Sequence, residues 1–275
     1  MQRFIFLHQV KTAGKTVEKF LLRKFKEKYC LTTKLFQEET VNNIFSILSS
    51  EDKGKIAKLN AAKVISGHFS YGLHNLLDDE ARYFTLLRDP VSRIRSYYAY
   101  SLRNEGSKIH AYLHDNNIGF EQFVEMEKKD ITKADVHELN YVLEDGQCKL
   151  VAGEDLLVGE GSTAHLFDKS EENIARHFDF VGVTELFDDA FIEISKLLGM
   201  GLFNLYITQN KSQVDVDVSE RARKVILERN AVDSTLHHKY YSSLQGMAET
   251  KSHRIARFYS KTGSRAADFY VKLRS

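Results

Sequence analysis

The sequence predicts a three-layer α/β fold, with a mainly parallel central sheet flanked by helices, and three passages carry that reading. At residues 4–7, 83–87 and 180–183 a short apolar run stops and, after a turn or loop, helical spacing begins. Strands that feed into helices, repeated along a chain, build a parallel sheet covered on both faces. The 275 residues contain no internal repeat and no linker rich in proline or glycine, so 1–275 reads as a single domain.

The first strand, 4–7, breaks into Lys11-Thr12-Ala13-Gly14-Lys15-Thr16, after which Val17, Phe20, Leu21 and Phe25 recur at helical spacing. Residues 35–60 are polar with helical patches. Residues 61–66 read as a second strand, ending in Gly67-His68-Phe69-Ser70-Tyr71-Gly72. The third strand, 83–87, ends in Arg88-Asp89-Pro90. Pro90 is the only proline in the chain. Asp89 suits an N-cap, and proline suits the first helical position, whose N–H has no partner anyway. Val91, Ile94, Tyr98 and Leu102 then line one face of a helix. Residues 105–150 are mixed, with a helical patch at 120–126. A fourth strand at 180–183 leads to a helix ending near Gly199, where glycine takes the left-handed cap. Helical segments are also expected at about 219–230, 233–246 and 253–272.

Charged residues are plentiful but balanced, giving a net charge of +1. That argues against a nucleic-acid or membrane-surface binder, which carries a basic excess. A local basic pocket for a small anion is compatible with it. The two cysteines, Cys30 and Cys148, lie far apart and in no metal-type spacing, so a reducing, cytoplasmic setting is expected. No apolar run reaches the length of a membrane span, and the N-terminus does not read as a signal peptide, so no membrane insertion is expected.

The loop at 11–16 carries the strongest chemistry. A strand entering a tight turn and then a helix directs backbone N–H groups and the positive helix end toward one point. Gly14 lets the backbone approach an anion, Lys11 and Lys15 add charge, and Thr12 and Thr16 add hydroxyls. The result is a P-loop-like cradle for phosphate or sulfate; the plain alternative is a surface turn that happens to hold lysines. A P-loop nucleoside triphosphatase or kinase is the nearest competitor through Gly14-Lys15-Thr16. The first glycine of its motif would fall at Gln9, and no strand ends in a lone magnesium-binding aspartate. Arg88, at a second strand end before a second helix, offers another anion site, because its fork grips phosphate oxygens in pairs. An ion pair with Asp89 is the alternative there, and for Ser96 an ordinary helix serine. Two separated anion sites suit an adenosine with phosphates at both 5′ and 3′ positions.

Taken together, Phe6-Leu7-His8-Gln9-Val10-Lys11-Thr12-Ala13-Gly14-Lys15-Thr16 resembles the 5′-phosphosulfate loop of sulfotransferases that use 3′-phosphoadenosine 5′-phosphosulfate (PAPS). Residues 84–93 through Ser96-Tyr97-Tyr98 resemble that family's 3′-phosphate motif, in which an arginine and a serine eight residues later hold the phosphate. Those positions are Arg88 and Ser96. Ser66-Gly67-His68-Phe69-Ser70-Tyr71 is similar to a segment of the heparan sulfate 2-O-sulfotransferase branch. Gln147 to Gly153 is similar to a Gln-x-Arg-x-Leu-x-Gly stretch there, with Lys149 replacing arginine. Phe180-Val181-Gly182-Val183-Thr184-Glu185 and Asn230-Ala231-Val232-Asp233 match later segments loosely. Val10 stands where the family has proline, and Lys15 where a small or hydroxyl residue is common.

The resemblance implies PAPS as co-substrate, no metal, and an acceptor hydroxyl, on a carbohydrate or small molecule. Lys11 would stabilise the bridging oxygen as it leaves, with Lys15 sharing that role or pairing with Glu18. His68 would be the general base, and His74 a weaker candidate; packing against Phe69 and Tyr71 is the alternative for His68. His237 and His238 read as a solvated face. Tyr71, Tyr97, Tyr98 and Tyr100 read as packing, with stacking on a sugar as the alternative, and acceptor specificity is expected within 30–60 and 103–150. A non-catalytic nucleotide-binding module is the third reading.

Overall fold

The computed structural model describes residues 2–25, 30–32, 53–107, 109–127, 139–154, 165–200, 206, 216–250, 254, 257 and 258. Strands β1 (Arg3–Leu7), β2 (Cys30–Thr32), β3 (Val64–Gly67), β4 (Ala81–Leu87) and β5 (Phe178–Val183) form one sheet in the order β2-β3-β1-β4-β5. Every neighbouring pair runs parallel. β1 lies in the middle, and its Ile5, Phe6 and Leu7 are fully buried. An unbroken apolar run is what a central parallel strand needs, since neither of its faces meets water. The Phe6 ring stacks on Phe84 of β4 at 4.9 Å.

Helices α1 (Gly14–Phe25), α2 (Lys53–Ala61), α3 (Pro90–Arg103), α4 (His110–Asp115), α5 (Phe120–Val124) and α6 (Leu139–Leu143) come first in the chain. They are followed by α7 (Gly146–Ala152), α8 (Leu166–His177), α9 (Phe187–Leu197), α10 (Glu220–Arg229) and α11 (Ala231–Ala248). Valine, phenylalanine and leucine at 17, 20 and 21 form the buried stripe of α1, and Phe20 meets Phe191 of α9 edge-on at 4.6 Å. Asp89 caps α3 by accepting from the Ser92 N–H at 2.8 Å, and Pro90 opens the helix. Gly199, at φ 68°, closes α9 in the left-handed conformation. No described helix is long and apolar enough to cross a membrane.

Register places the functional ends. Leu7 pairs with Gly67 on one side and Thr85 on the other, so the carboxyl ends of β1 and β3 finish level and that of β4 two residues beyond. The chain leaves β1 toward the β2 edge and leaves β4 toward the β5 edge. Departures in opposite directions open a crevice outside the carboxyl ends, where parallel sheets hold ligands.

The second strand begins at Val64, not at residue 61. Ala61 belongs to α2, and Arg3 secures that helix end by donating to the carbonyls of Asn60 and Ala62 at 2.6 and 3.0 Å. A basic side chain on the last carbonyls ends a helix favourably, and a short apolar run alone does not distinguish the two states. β2 and α8 have no counterpart among the sequence expectations: β2 is three residues long, and α8 is rich in polar residues. The other expected helices appear at α10 and α11. Most of residues 35–60 and of the expected helix at 253–272 lie outside the described residues.

Candidate anion-binding and catalytic site

The loop after β1 is shaped by its own backbone. His8 N–H donates to Gly67 O at 2.9 Å, extending the pairing with β3 by one residue. The chain then turns with two non-glycine residues in the left-handed region, Lys11 at φ 67° and Ala13 at φ 62°. Such residues cost energy and persist where surrounding contacts enforce them. Here the Thr12 hydroxyl donates to Gln9 O at 2.9 Å, and Thr16 N–H donates to Ala13 O at 2.9 Å. Thr12 and Thr16 are buried, and the Thr12 hydroxyl is engaged within the loop, so it shapes the cradle from inside. Left-handed residues in a turn swing successive N–H groups toward one point, the geometry of an anion nest. Gly14 has a reason beyond ligand approach. A Cβ there would stand 2.0 Å from the His8 ring, so the imidazole occupies the space a side chain would need.

Cations converge on this loop. The Lys11 ammonium sits 4.1 Å from the centre of the Tyr100 ring, and Lys15 lies 6.0 Å from the same ring. Tyr100 is therefore not plain packing, although Tyr97 and Tyr98 are buried as expected. Arg88 reaches across from the end of β4 and donates through Nη1 to Lys11 O at 2.9 Å. Burial first, then the charges of Lys15, Arg88 and Arg103, push the Lys11 pKa down to about 8. Four like charges held this close repel one another, and a bound anion would relieve that repulsion. Burial lowers the Arg88 pKa, and Glu185 and then Asp89 oppose that, while the Asp89 carboxylate also caps α3. Ser96 is half-buried on α3, two turns into the helix. A cavity of about 580 Å³ opens beside the same helix start, lined in part by Asp89, Ser92, Arg95 and Arg223, but not by Arg88 or Ser96.

His68 follows β3 directly and is half-buried. Its Nδ1 lies 2.6 Å from His8 O. A carbonyl only accepts, so Nδ1 carries the proton and Nε2 keeps its lone pair. The His8 and His68 rings are tilted against each other with centroids 4.2 Å apart. His8 Nδ1 lies 3.2 Å from Glu18 Oε1, which also accepts from the Ser66 hydroxyl at 2.8 Å. Burial would raise the Glu18 pKa, but the His8 and Ser66 hydrogen bonds and the nearby imidazoles outweigh it and bring it down to about 2. His68 does not keep its ordinary pKa. Burial and the adjacent His8 push it down to about 3, against the pull of the His8 carbonyl and Glu18. It is neutral at neutral pH, the form that accepts a proton.

The other histidines sit elsewhere. His74 hydrogen-bonds through Nδ1 to the Tyr83 hydroxyl at 3.0 Å and packs against His177, in a separate aromatic cluster. Burial, then His177, pushes its pKa down to about 4. His237 is not on a solvated face, because its side chain is only 13% exposed and its Nε2 lies 2.9 Å from Glu185 Oε2. Glu185 Oε1 in turn accepts from Asp89 N–H at 3.0 Å, so this pair buttresses the turn after Arg88. His238 is exposed.

One glutamine joins the two strand ends. The Gln147 side chain accepts from Arg88 N–H at 2.8 Å and donates to Arg88 O at 2.9 Å, while Gln147 O accepts from Gln9 Nε2 at 3.2 Å. Asp233, buried at the start of α11, accepts from the N–H groups of Gln147 and Cys148 at 3.1 and 2.7 Å. It also faces the Arg93 guanidinium at 3.5 Å. Asn230 ties the same corner, accepting from Asp145 N–H at 3.1 Å and donating to Leu143 O at 2.8 Å.

The structure thus brings Lys11, Thr12, Ala13, Gly14, Lys15, Thr16, Arg88 and His68 to one end of the sheet. His8, Arg103, Gln147 and Asp233 join them without having been assigned roles from the sequence, as do Glu18, expected only as a partner of Lys15, and Tyr100, expected as packing. A helical projection carried a signal for two of these, since Ser96, Tyr100 and Arg103 follow at spacings of four and three and share a face of α3. Among the described residues no group of three or more histidine, cysteine or carboxylate side chains is placed to hold a metal ion. The chain matches no model of a known protein family and no curated protein.

Proposed function

We propose that this protein is a sulfotransferase, moving a sulfuryl group from PAPS to an acceptor hydroxyl, on a carbohydrate or small molecule, within a P-loop-like architecture. The observation that carries the reading is the Arg88–Lys11 contact. It joins the ends of β1 and β4 into one basic surface, beside an imidazole whose Nε2 lone pair is available. A ligand with phosphates at both ends of an adenosine suits two anion sites held side by side. The sheet order supports the same reading, because the crevice between the departures from β1 and β4 is where such folds bind nucleotides.

The reaction follows from these roles. The acceptor oxygen attacks sulfur as its proton passes to His68 Nε2. The bond between sulfur and the bridging oxygen breaks, and its electron pair stays on the departing 5′-phosphate, where the Lys11 ammonium and the loop N–H groups stabilise it. Arg88 and Ser96 hold the 3′-phosphate and so set the line of attack.

Transfer of labelled sulfate from PAPS to a panel of glycans and small alcohols tests the activity directly. Transfer to none of them would leave only a nucleotide-binding module. Thermal shift separates the competitor: stabilisation by 3′-phosphoadenosine 5′-phosphate is expected without metal, whereas stabilisation only by ATP with magnesium would identify a kinase-type site.

Two predictions concern binding. Arg88→Ala is expected to weaken binding of 3′-phosphoadenosine 5′-phosphate by about 1.5–3 kcal/mol, the worth of a charged hydrogen bond; unchanged calorimetric affinity would dismiss the second anion site. The same affinity is expected to fall as pH rises through about 8, where Lys11 loses its proton in the free protein. The bound anion favours the charged ammonium, so binding takes up a proton above that pH. Calorimetry in buffers of different ionisation enthalpy reads that uptake, and a flat profile between about pH 7 and 9 would remove Lys11 from the phosphate site.

A further inference from the structure

We propose that Glu18 is a positioning residue for His68, acting through His8 to hold the base in its Nδ1-protonated form and to offset the charge it acquires. This rests on the reading of His68 as the proton acceptor. Glu18 lies one turn into α1, on the face turned toward the sheet, with its side chain 18% exposed. A single carboxylate oxygen, Oε1, meets both His8 Nδ1 at 3.2 Å and the Ser66 hydroxyl at 2.8 Å. His8 follows the end of β1, and Ser66 lies two residues before His68 on β3, so one acidic group clamps the two strand ends that carry the imidazoles.

The His8 ring is fixed on its other sides as well. It stacks on Phe6 at 5.3 Å, tilts against His68 at 4.2 Å, and fills the space above Gly14. The backbone of the same residue is held to β3 by its N–H on Gly67 O at 2.9 Å, and its carbonyl receives the His68 Nδ1 proton at 2.6 Å. The lone pair at Nε2 is the consequence.

Charge completes the case. The groups facing His68 are His8 from the end of β1 and Glu18 and Lys15 from α1. When His68 takes the acceptor proton, the His8 ring and Lys15 oppose the new cation, the His8 carbonyl favours it, and Glu18 is the one anionic side chain among these groups that does. A purely structural role, tying α1 to the sheet, would change stability without changing the tautomer or the base strength of His68.

The test uses the full chain with ¹⁵N-labelled histidine. In the unaltered protein, long-range proton–nitrogen spectra at neutral pH are expected to show His68 protonated at Nδ1. In Glu18→Gln the His68 signals are expected to move toward a mixture of tautomers. Turnover is expected to drop by about 10–100-fold with KM for PAPS unchanged, as for carboxylates that orient a histidine from behind. Ser66→Ala, a milder change at the same oxygen, is expected to move both readouts in the same direction and serves if Glu18→Gln does not fold. His68 signals identical to those of the unaltered protein, or shifted signals with full turnover, would overturn the proposal. If the unaltered protein transfers no sulfate yet the tautomer shifts, the enzyme reading fails while the positioning by Glu18 stands.

Discussion

His68→Ala is expected to lower sulfuryl transfer by ~10²–10⁴-fold, the span of a lost general base, with affinity for 3′-phosphoadenosine 5′-phosphate unchanged. The separation of the two effects follows from the geometry. On the proposed reading the anion contacts come from the loop at 11–16 and from Arg88, whereas His68 is held at Nδ1 by His8 O and has Nε2 left for the acceptor. With a pKa pushed down to about 3 in the free protein, His68 is a weak base until negative charge arrives. On the proposed reading a bound phosphosulfate would supply that charge and raise its proton affinity where the acceptor needs it. Turnover is measured at saturating PAPS and affinity by calorimetry. Near-normal turnover would take His68 out of the role, and a parallel loss of affinity would make it a binding residue instead.

Asp233→Ala is expected to destabilise the fold by about 3–5 kcal/mol, the cost of leaving one member of a buried ion pair alone. Asp233 is 1% exposed and Arg93 only 2%, so the guanidinium would lose its facing carboxylate with little access to water. The N–H groups of Gln147 and Cys148 would lose their acceptor at the same time. Urea denaturation should show a lower midpoint with an unchanged slope. The damage should also reach the site, because Gln147 then holds Arg88 less firmly. A loss below about 1 kcal/mol would mean that neighbouring groups take over both tasks.

Much of the fold was legible because its signals are local. Residues 4–7 and 83–87 are short apolar runs, each followed by a turn and then helical spacing, and Asp89-Pro90 marks a helix start by side-chain chemistry alone. The three-residue β2 was not legible because it is too short to show a period, whereas α8 does carry a buried stripe at Leu166, Ser170 and Ile174, obscured because its middle position is a serine. Residues 61–66 misled for a related reason: Ala61 and Ala62 are apolar enough for a strand, and only Arg3, nearly sixty residues earlier, shows that they close a helix.

The site divides along the same line. Arg88 and His68 could be named from the sequence because each directly follows a strand, and Lys11 and Gly14 because they lie in the loop between a strand and its helix; in a parallel sheet those positions share one edge. Their environment could not be named. The depressed pKa of Lys11 comes first from burial, then from Lys15 and from Arg88 and Arg103 brought from more than seventy residues away, and the free Nε2 of His68 needs the His8 carbonyl, sixty residues earlier. Glu18 and Gln147 matter only through the distant groups they hold. Sequence alone determined which residues bear charge and where chain direction changes; tertiary structure decided protonation, tautomer and partner, because those depend on distance through space rather than along the chain.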